Sequence, residues 1–187
     1  MTGRWIFEIK WDGFRTIAEV GVTGIRLYSR KQNSFNKRFE EIVRSLKQLK
    51  HEAVLDGEVV ALDEQGHCRF EWLFSRNGQR KGRLIYYVFD LLFLDSQDLR
   101  TLPLQRRKAL LKRILRNFPG VLYMDHIEEH GKEFFSLASE RGLEGIVAKD
   151  KQSPYLSGRE TSYWLKIKNP AFERKDSVEF RVARRRG

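Results

Sequence analysis

An α+β fold, with antiparallel β-sheets flanked by helices, follows from three features of the sequence. Short segments alternate apolar and polar side chains, three other segments repeat apolar residues at helical spacing, and regular strand-helix-strand alternation is missing. Residues 5–10 (Trp-Ile-Phe-Glu-Ile-Lys) and 14–20 alternate as strands about the turn-prone Asp12-Gly13, and 24–29 forms a further short strand, so the opening is predicted to be a β-meander. From 36 to 49, Phe39, Ile42, Val43, Leu46 and Leu49 recur at the spacing of an amphipathic helix with a basic outer face. Strand patterns return at 53–62 and at 84–94, the latter apolar enough to be a central strand, with a polar loop between them. A second helix is expected over 104–117, carrying Arg106, Arg107, Lys108, Lys112 and Arg113, and a third over 131–141, ending near Gly142. Short strands at 145–149 and 163–168 follow. Pro170 then interrupts the pattern ahead of an arginine-rich tail, 173–187.

One principal domain is expected from 187 residues with 41% apolar content, enough for one sizeable core. The 36 Lys and Arg against 25 Asp and Glu leave a net charge of +11, which favours a polyanionic partner. A membrane is not expected as that partner, because no apolar run approaches the roughly 18 residues of a span and the N-terminus lacks a signal-peptide core. A soluble, cytoplasmic protein is expected. The lone Cys68 excludes an internal disulfide framework, and four scattered histidines lack zinc-ligand spacing, so any metal would be held by carboxylates and phosphates, as Mg²⁺ usually is.

Residues two apart on a strand share a face. Glu8 and Lys10 therefore lie opposite Phe7 and Ile9, Asp56 and Glu58 opposite Leu55 and Val59, and Lys166 and Lys168 opposite Leu165 and Ile167, while Glu144 precedes the strand leading to Val147 and Lys149. If these strands pack into one sheet, they line a cleft with lysines and carboxylates, suited to a nucleoside triphosphate and a divalent cation. Lys10, followed by a turn that leaves its amine at the cleft mouth, is the candidate nucleophile. Holding a lysine neutral at pH 7 takes roughly 3 pKa units, and desolvation with the cations Lys166 and Lys168 nearby is expected to supply them. By itself, Lys-x-Asp-Gly fits an exposed strand lysine equally well.

Phe89 and Tyr87 share a face of the central strand, and either could stack on a purine or belong to the core. Spacing alone reads Arg30 as a solvated turn residue and the basic helices as solvated faces. Trp5, Trp11, Trp72 and Trp164 read as packing residues, Trp164 least firmly.

Taken in order, Glu8-Ile-Lys-Trp-Asp-Gly-Phe-Arg15, Tyr28-Ser-Arg-Lys31, Leu55-Asp-Gly-Glu58, Tyr87-Val-Phe-Asp90, Glu144-Gly-Ile-Val-Ala-Lys149 and Trp164-Leu-Lys-Ile-Lys168 resemble the nucleotidyltransferase motifs of ATP-dependent DNA ligases. The phrase Ser153-Pro-Tyr-Leu-Ser-Gly-Arg159 is similar to the bacterial non-homologous end-joining branch of that family. The resemblance implies an ATP-grasp-like DNA ligase nucleotidyltransferase (adenylation) domain over 1–168, with 169–187 a basic tail or the start of an absent oligonucleotide-binding-fold domain.

It further implies three steps: attack of Lys10 on the α-phosphorus of ATP, passage of AMP to a DNA 5′-phosphate, and displacement of AMP by the adjoining 3′-hydroxyl. By the same resemblance, Glu8 and the backbone near Ile9 recognise adenine, Phe89 and Val147 sandwich it, Arg15 and Glu58 hold ribose, and Arg30 contacts phosphate or the DNA end. Glu144, assisted by Glu58, would place Mg²⁺ or Mn²⁺, and Lys166 and Lys168 would meet the α-phosphate and leaving group. A bacterial or archaeal, nucleoid-associated setting follows. Fewer than twenty residues succeed Lys168, too few for the second domain, so the family's last motif is expected from that domain or from an end-joining partner protein. The alternatives are an RNA ligase or capping-type guanylyltransferase, which share the lysine-nucleotide chemistry, and a non-catalytic DNA-binding module.

Overall fold

The computed structural model of the chain describes residues 3–74, 81–116, 118–158 and 161–173. Two sheets, antiparallel except for one strand pair of the larger, face each other across a cleft. Strand β1 (Trp5–Ile9) begins the smaller sheet, while β2 (Phe14–Gly21) and β3 (Gly24–Ser29) form a hairpin at one edge of the larger. The expected meander is thus broken at its first turn, since β1 pairs with the distant β9 rather than with β2. Alternation fixes which face a side chain takes and leaves the partner strand open. At the turn, a Cβ on Gly13 would come within 2.4 Å of the Val59 carbonyl oxygen, so only glycine lets the chain cross from one sheet to the other this tightly.

Helix α1 (Glu40–Leu46) starts four residues later than its periodicity suggests. Asn36 is engaged elsewhere: its side chain accepts from Leu27 N at 2.7 Å and donates to Ile25 O at 2.7 Å, extending the edge of β3 instead of entering a helix. Phe39, Ile42, Leu46 and Leu49 are nevertheless all buried, each worth about 1.5–3 kcal/mol of transfer free energy. They meet β4 (Ala53–Leu62) and β5 (Arg83–Leu94) in the main core, beside an aromatic group of Phe14, Phe35, Phe39, Phe70 and Phe74. The polar loop between β4 and β5 holds one short 3-10 helix, Phe70–Phe74.

Strand β5 is central, as expected. It pairs with β4 and β6 (Gln97–Asp98) antiparallel and with β7 (Val121–Tyr123) in parallel, completing a six-stranded sheet ordered β3-β2-β4-β5-β6 with β7 on β5. Helix α2 (Leu104–Ile114) packs on β5. The smaller sheet is ordered β10-β9-β1-β8, from β8 (Ile127–Glu128), β9 (Gly145–Asp150) and β10 (Trp164–Lys168), and α3 (Gly131–Glu140) covers β1 and β9 from outside. The ring of Phe7 lies against Gly131 so closely that a Cβ there would meet it at 2.4 Å.

Of the segment 169–187, residues 169–173 are described, and Asn169 docks back on the loop before β9, donating from N to Glu144 O at 2.9 Å and from Nδ2 to Leu143 O at 3.2 Å. The expected tail from 174 onward, and Arg159, lie outside the described residues. Among the described residues no helix is long and apolar enough to cross a membrane.

Candidate nucleotide cleft

The strands expected to share one sheet belong to two. Lys10, Val147, Lys166 and Lys168 come from the smaller sheet, where Glu8 pairs with Val147 and Val147 with Lys166, placing the three in one row. Glu58, Arg15 and Phe89 come from the larger sheet, whose strands β2 and β4 set Arg15 opposite Glu58. Between them lies a cleft of about 780 Å³, and its walls include Lys10 together with Glu8, Ile9, Arg15, Arg30, Glu58, Phe89, Val147, Lys166 and Lys168. The structure thus brings every sequence-predicted nucleotide-binding residue to one cavity, Arg30 included, which spacing alone leaves as a solvated turn residue.

Lys10 follows β1 and is held at its backbone, where its N donates to Gly145 O at 2.9 Å. Its Nζ lies 2.5 Å from Glu144 Oε2, with 19% of its side chain exposed. An amine beside cations is the sequence expectation; a carboxylate is the contact partner. The reason is the turn before β9: Gly145 adopts φ +142°, and a Cβ on it would sit 2.1 Å from Ile167 O, so β10 closes against the strand start and Glu144 is turned back toward Lys10.

Arg15 lies in register with Glu58, yet its guanidinium forms a two-pronged ion pair with buried Asp56, Nε to Oδ1 at 3.1 Å and Nη2 to Oδ2 at 2.6 Å. Tyr155 donates its hydroxyl to Asp56 Oδ2 at 2.9 Å from the loop joining β9 to β10, tying the two sheets together. Burial pushes the Glu58 carboxyl up to about 8; the Arg15 cation opposes this and the Asp56 carboxylate adds to it. At neutral pH Glu58 is therefore largely protonated, a hydrogen-bond donor rather than a free anion.

Of the two aromatics on β5, Tyr87 is occupied, stacked on Trp11 at 4.9 Å with rings 2° apart. Phe89 faces the cleft, edge-on to Trp164 at 5.8 Å. Trp164, read from sequence as packing, proves to be a cleft wall. The Lys149 ammonium sits 4.0 Å from both ring centroids, so a base stacking on Phe89 encounters this cation.

Glu8 lines the cleft with partners that its own strand does not supply. Its carboxylate is buried between two ammonium groups, Lys108 Nζ at 2.5 Å from Oε1 and Lys149 Nζ at 2.6 Å from Oε2. Burial alone would raise its pKa, but the two cations together hold it below the usual carboxylate range. Burial in turn lowers the pKa of Lys149, with Glu8 opposing. Lys108 is 2% exposed and its neighbour Arg107, paired with Asp90 at 2.7 and 2.9 Å, is fully buried. The solvated-face reading of α2 is therefore corrected at these two positions. The missed signal is helical: Leu104, Arg107, Lys108, Leu111 and Leu115 fall on one stripe.

Comparison with known proteins gives this arrangement its class. The model of the family described as ATP dependent DNA ligase domain matches residues 1–168, and the chain belongs to that family. Over 167 residues it is 34% identical to the SPbeta prophage-derived DNA ligase-like protein LigB of Bacillus subtilis, a match covering 88% of this chain and 61% of LigB. It is 33% identical to the multifunctional non-homologous end joining protein LigD of Mycobacterium bovis, over 89% of this chain and 22% of that protein. The solved structure of mycobacterial DNA ligase D complexed with ATP and MES matches with a TM-score of 0.78 at 32% identity, over 88% of this chain and 54% of that one. The chain thus spans less than two thirds of each of these relatives.

Proposed function

We propose that this domain carries its nucleotide covalently on Lys10 and hands it to DNA. The observation that supports this most directly is the Lys10 amine, 2.5 Å from Glu144, in a cleft that Lys166 and Lys168 also line. ATP would enter with its base toward Glu8, Lys149 and Phe89 and its phosphates toward Lys166, Lys168 and Arg30. The Lys10 Nζ lone pair forms a bond to the α-phosphorus while the bond from that phosphorus to the bridging oxygen breaks, and pyrophosphate leaves with the electron pair. Glu144 is placed to accept the proton the amine must lose. In the second step the phosphorus–nitrogen bond breaks as a DNA 5′-phosphate oxygen takes the AMP. In the third, a 3′-hydroxyl oxygen loses its proton to solvent and bonds to the DNA 5′-phosphorus, whose bond to the AMP oxygen breaks, so that AMP leaves with the electron pair.

A divalent cation fits this cleft in one way. Mg²⁺ or Mn²⁺ would be held by one or two carboxylates and the substrate phosphates, the usual arrangement for these ions. Glu144 suits that role better than Glu58, whose carboxyl keeps its proton up to about pH 8 and so suits a ribose hydroxyl. Such an ion would supply charge neutralisation on the phosphates and leaving group. DNA with a 5′-phosphate is the acceptor, and a second domain or end-joining partner would complete the enzyme, as the greater length of the relatives suggests.

Intact-mass measurement tests the reading. The chain incubated with Mg²⁺ and ATP is expected to gain one AMP, reversibly with pyrophosphate, and to gain no GMP from GTP. Lys10→Ala is expected to abolish the adduct; an adduct of undiminished yield in that variant removes Lys10 from its role.

A further inference from the structure

Lys108 lies outside the six motif segments and outside the cleft, yet its side chain runs inward from α2 to the back of the cleft floor. Its neighbours Arg106, Lys112 and Arg113 are exposed, as basic helix residues ordinarily are, whereas Lys108, Glu8 and Lys149 are each 2% exposed. The Lys108 ammonium is 2.5 Å from Glu8 Oε1, donates to Met124 O at 2.9 Å, and lies 4.6 Å from the centre of the Tyr123 ring. Glu8, Lys149 and Met124 line the cleft. A buried lysine that touches no substrate space but fixes one that does calls for an explanation in terms of what it holds.

An ionised carboxylate offers about four acceptor directions and no donor. Lys108 takes one on Oε1 by a hydrogen bond, while the Lys149 ammonium faces Oε2 at 2.6 Å as an ion pair, so the Glu8 group is held from both sides and keeps acceptor capacity for the cleft side. We propose that Lys108 is a positioning residue for base selection: by clamping the Glu8 carboxylate in its charged form and fixed plane, it makes the cleft floor accept the 6-amino group of adenine and refuse the 6-oxo group of guanine. The inference rests on the reading above that the base meets Glu8. A carboxylate facing a carbonyl oxygen presents acceptor to acceptor, and buried polar groups left unmatched discriminate strongly. Without Lys108, Glu8 would keep one cation in a buried site, where desolvation favours the protonated acid. A protonated Glu8 carries an O–H that can meet a guanine oxygen, and a carboxyl clamped on one side only can turn.

The test compares binding titrations of ATP and GTP, which require no turnover, in the whole chain and in Lys108→Met, Lys108→Gln and Glu8→Gln. The wild type is expected to prefer ATP. Both Lys108 variants are expected to lose at least tenfold of that preference while melting cooperatively. A merely structural lysine would weaken both nucleotides together and leave the ratio unchanged. A wild-type ratio in a folded Lys108 variant overturns the proposal. An unchanged ratio in Glu8→Gln overturns instead the underlying placement of the base, and a loss in Glu8→Gln alone separates the two. Should neither Lys108 variant fold, ¹⁵N-lysine spectra of the wild type decide: AMP and not GMP is expected to move the Lys108 ammonium resonance, and a resonance unmoved by AMP overturns the role.

Discussion

Glu58 shows how a single side chain carries a pH signature. Its carboxyl titrates near 8 in the folded chain against an ordinary value of 4.5, because burial beside Asp56 outweighs the Arg15 cation. Between those values the folded chain keeps a proton that the unfolded chain has lost, so the stability linked to this group is complete below about pH 4.5 and declines as pH rises through about 8. Glu58→Gln, which mimics the neutral acid, is expected to remove that decline. By urea unfolding the variant should match the wild type near pH 5 and exceed it by about 1–3 kcal/mol at pH 9. Parallel stability curves across that range would contradict the assignment of Glu58 as a neutral acid.

At this scale the sequence is legible where facing follows from alternation and opaque where partners are distant. Glu8, Lys10, Val147, Lys166 and Lys168 take the cleft faces that a period of two assigns them. Arg15 lines the cleft as expected of it, but its ion pair with Asp56, 41 positions away, is not written in its spacing, nor is the reach of Lys108 to Glu8 across 100. Nothing local encodes such distances. A charged residue on an apolar helical stripe indicates burial, yet leaves its counter-ion unnamed.

At the scale of elements, two local devices hold the cleft walls. Arg107 binds Asp90 with two hydrogen bonds and also donates to Ser153 O at 3.0 Å, so α2, the central strand β5 and the loop bearing Tyr155 are joined through one guanidinium. Arg107→Met would strand Asp90 in the core and is expected to cost about 3–5 kcal/mol in chemical denaturation. The second device is Gly145. Its left-handed backbone and the 2.1 Å approach a Cβ would make to Ile167 O lead us to expect that Gly145→Ala costs about 1–3 kcal/mol and, by spreading β9 from β10, slows adenylation through Glu144. An alanine variant with full stability and full adduct rate would show that the tight crossing is dispensable. Element types were legible from periodicity and boundaries mostly so. The short strands β6, β7 and β8 were not, because two or three residues are too few to show a period.

The whole molecule carries +11, and the motifs spread from residue 8 to 168 close into one cavity only because two sheets fold face to face. Their order along the chain identifies the family, whereas the division into two sheets is a matter of long-range pairing that alternation does not specify. Net charge makes a prediction at this scale that the cleft alone does not. If cationic side chains track a DNA backbone on the way to the nick, binding should release counterions, with log affinity falling against log salt by about 0.9 for each phosphate contacted. Titrating a nicked duplex carrying a 5′-phosphate at several salt concentrations is expected to give a slope corresponding to several contacts, whereas Lys10→Ala, which alters one side chain in the cleft, should lower that slope by no more than about 1. Weak binding with a flat salt response would mean that the excess charge serves the triphosphate and solubility alone, and that DNA is gripped by a domain other than this one.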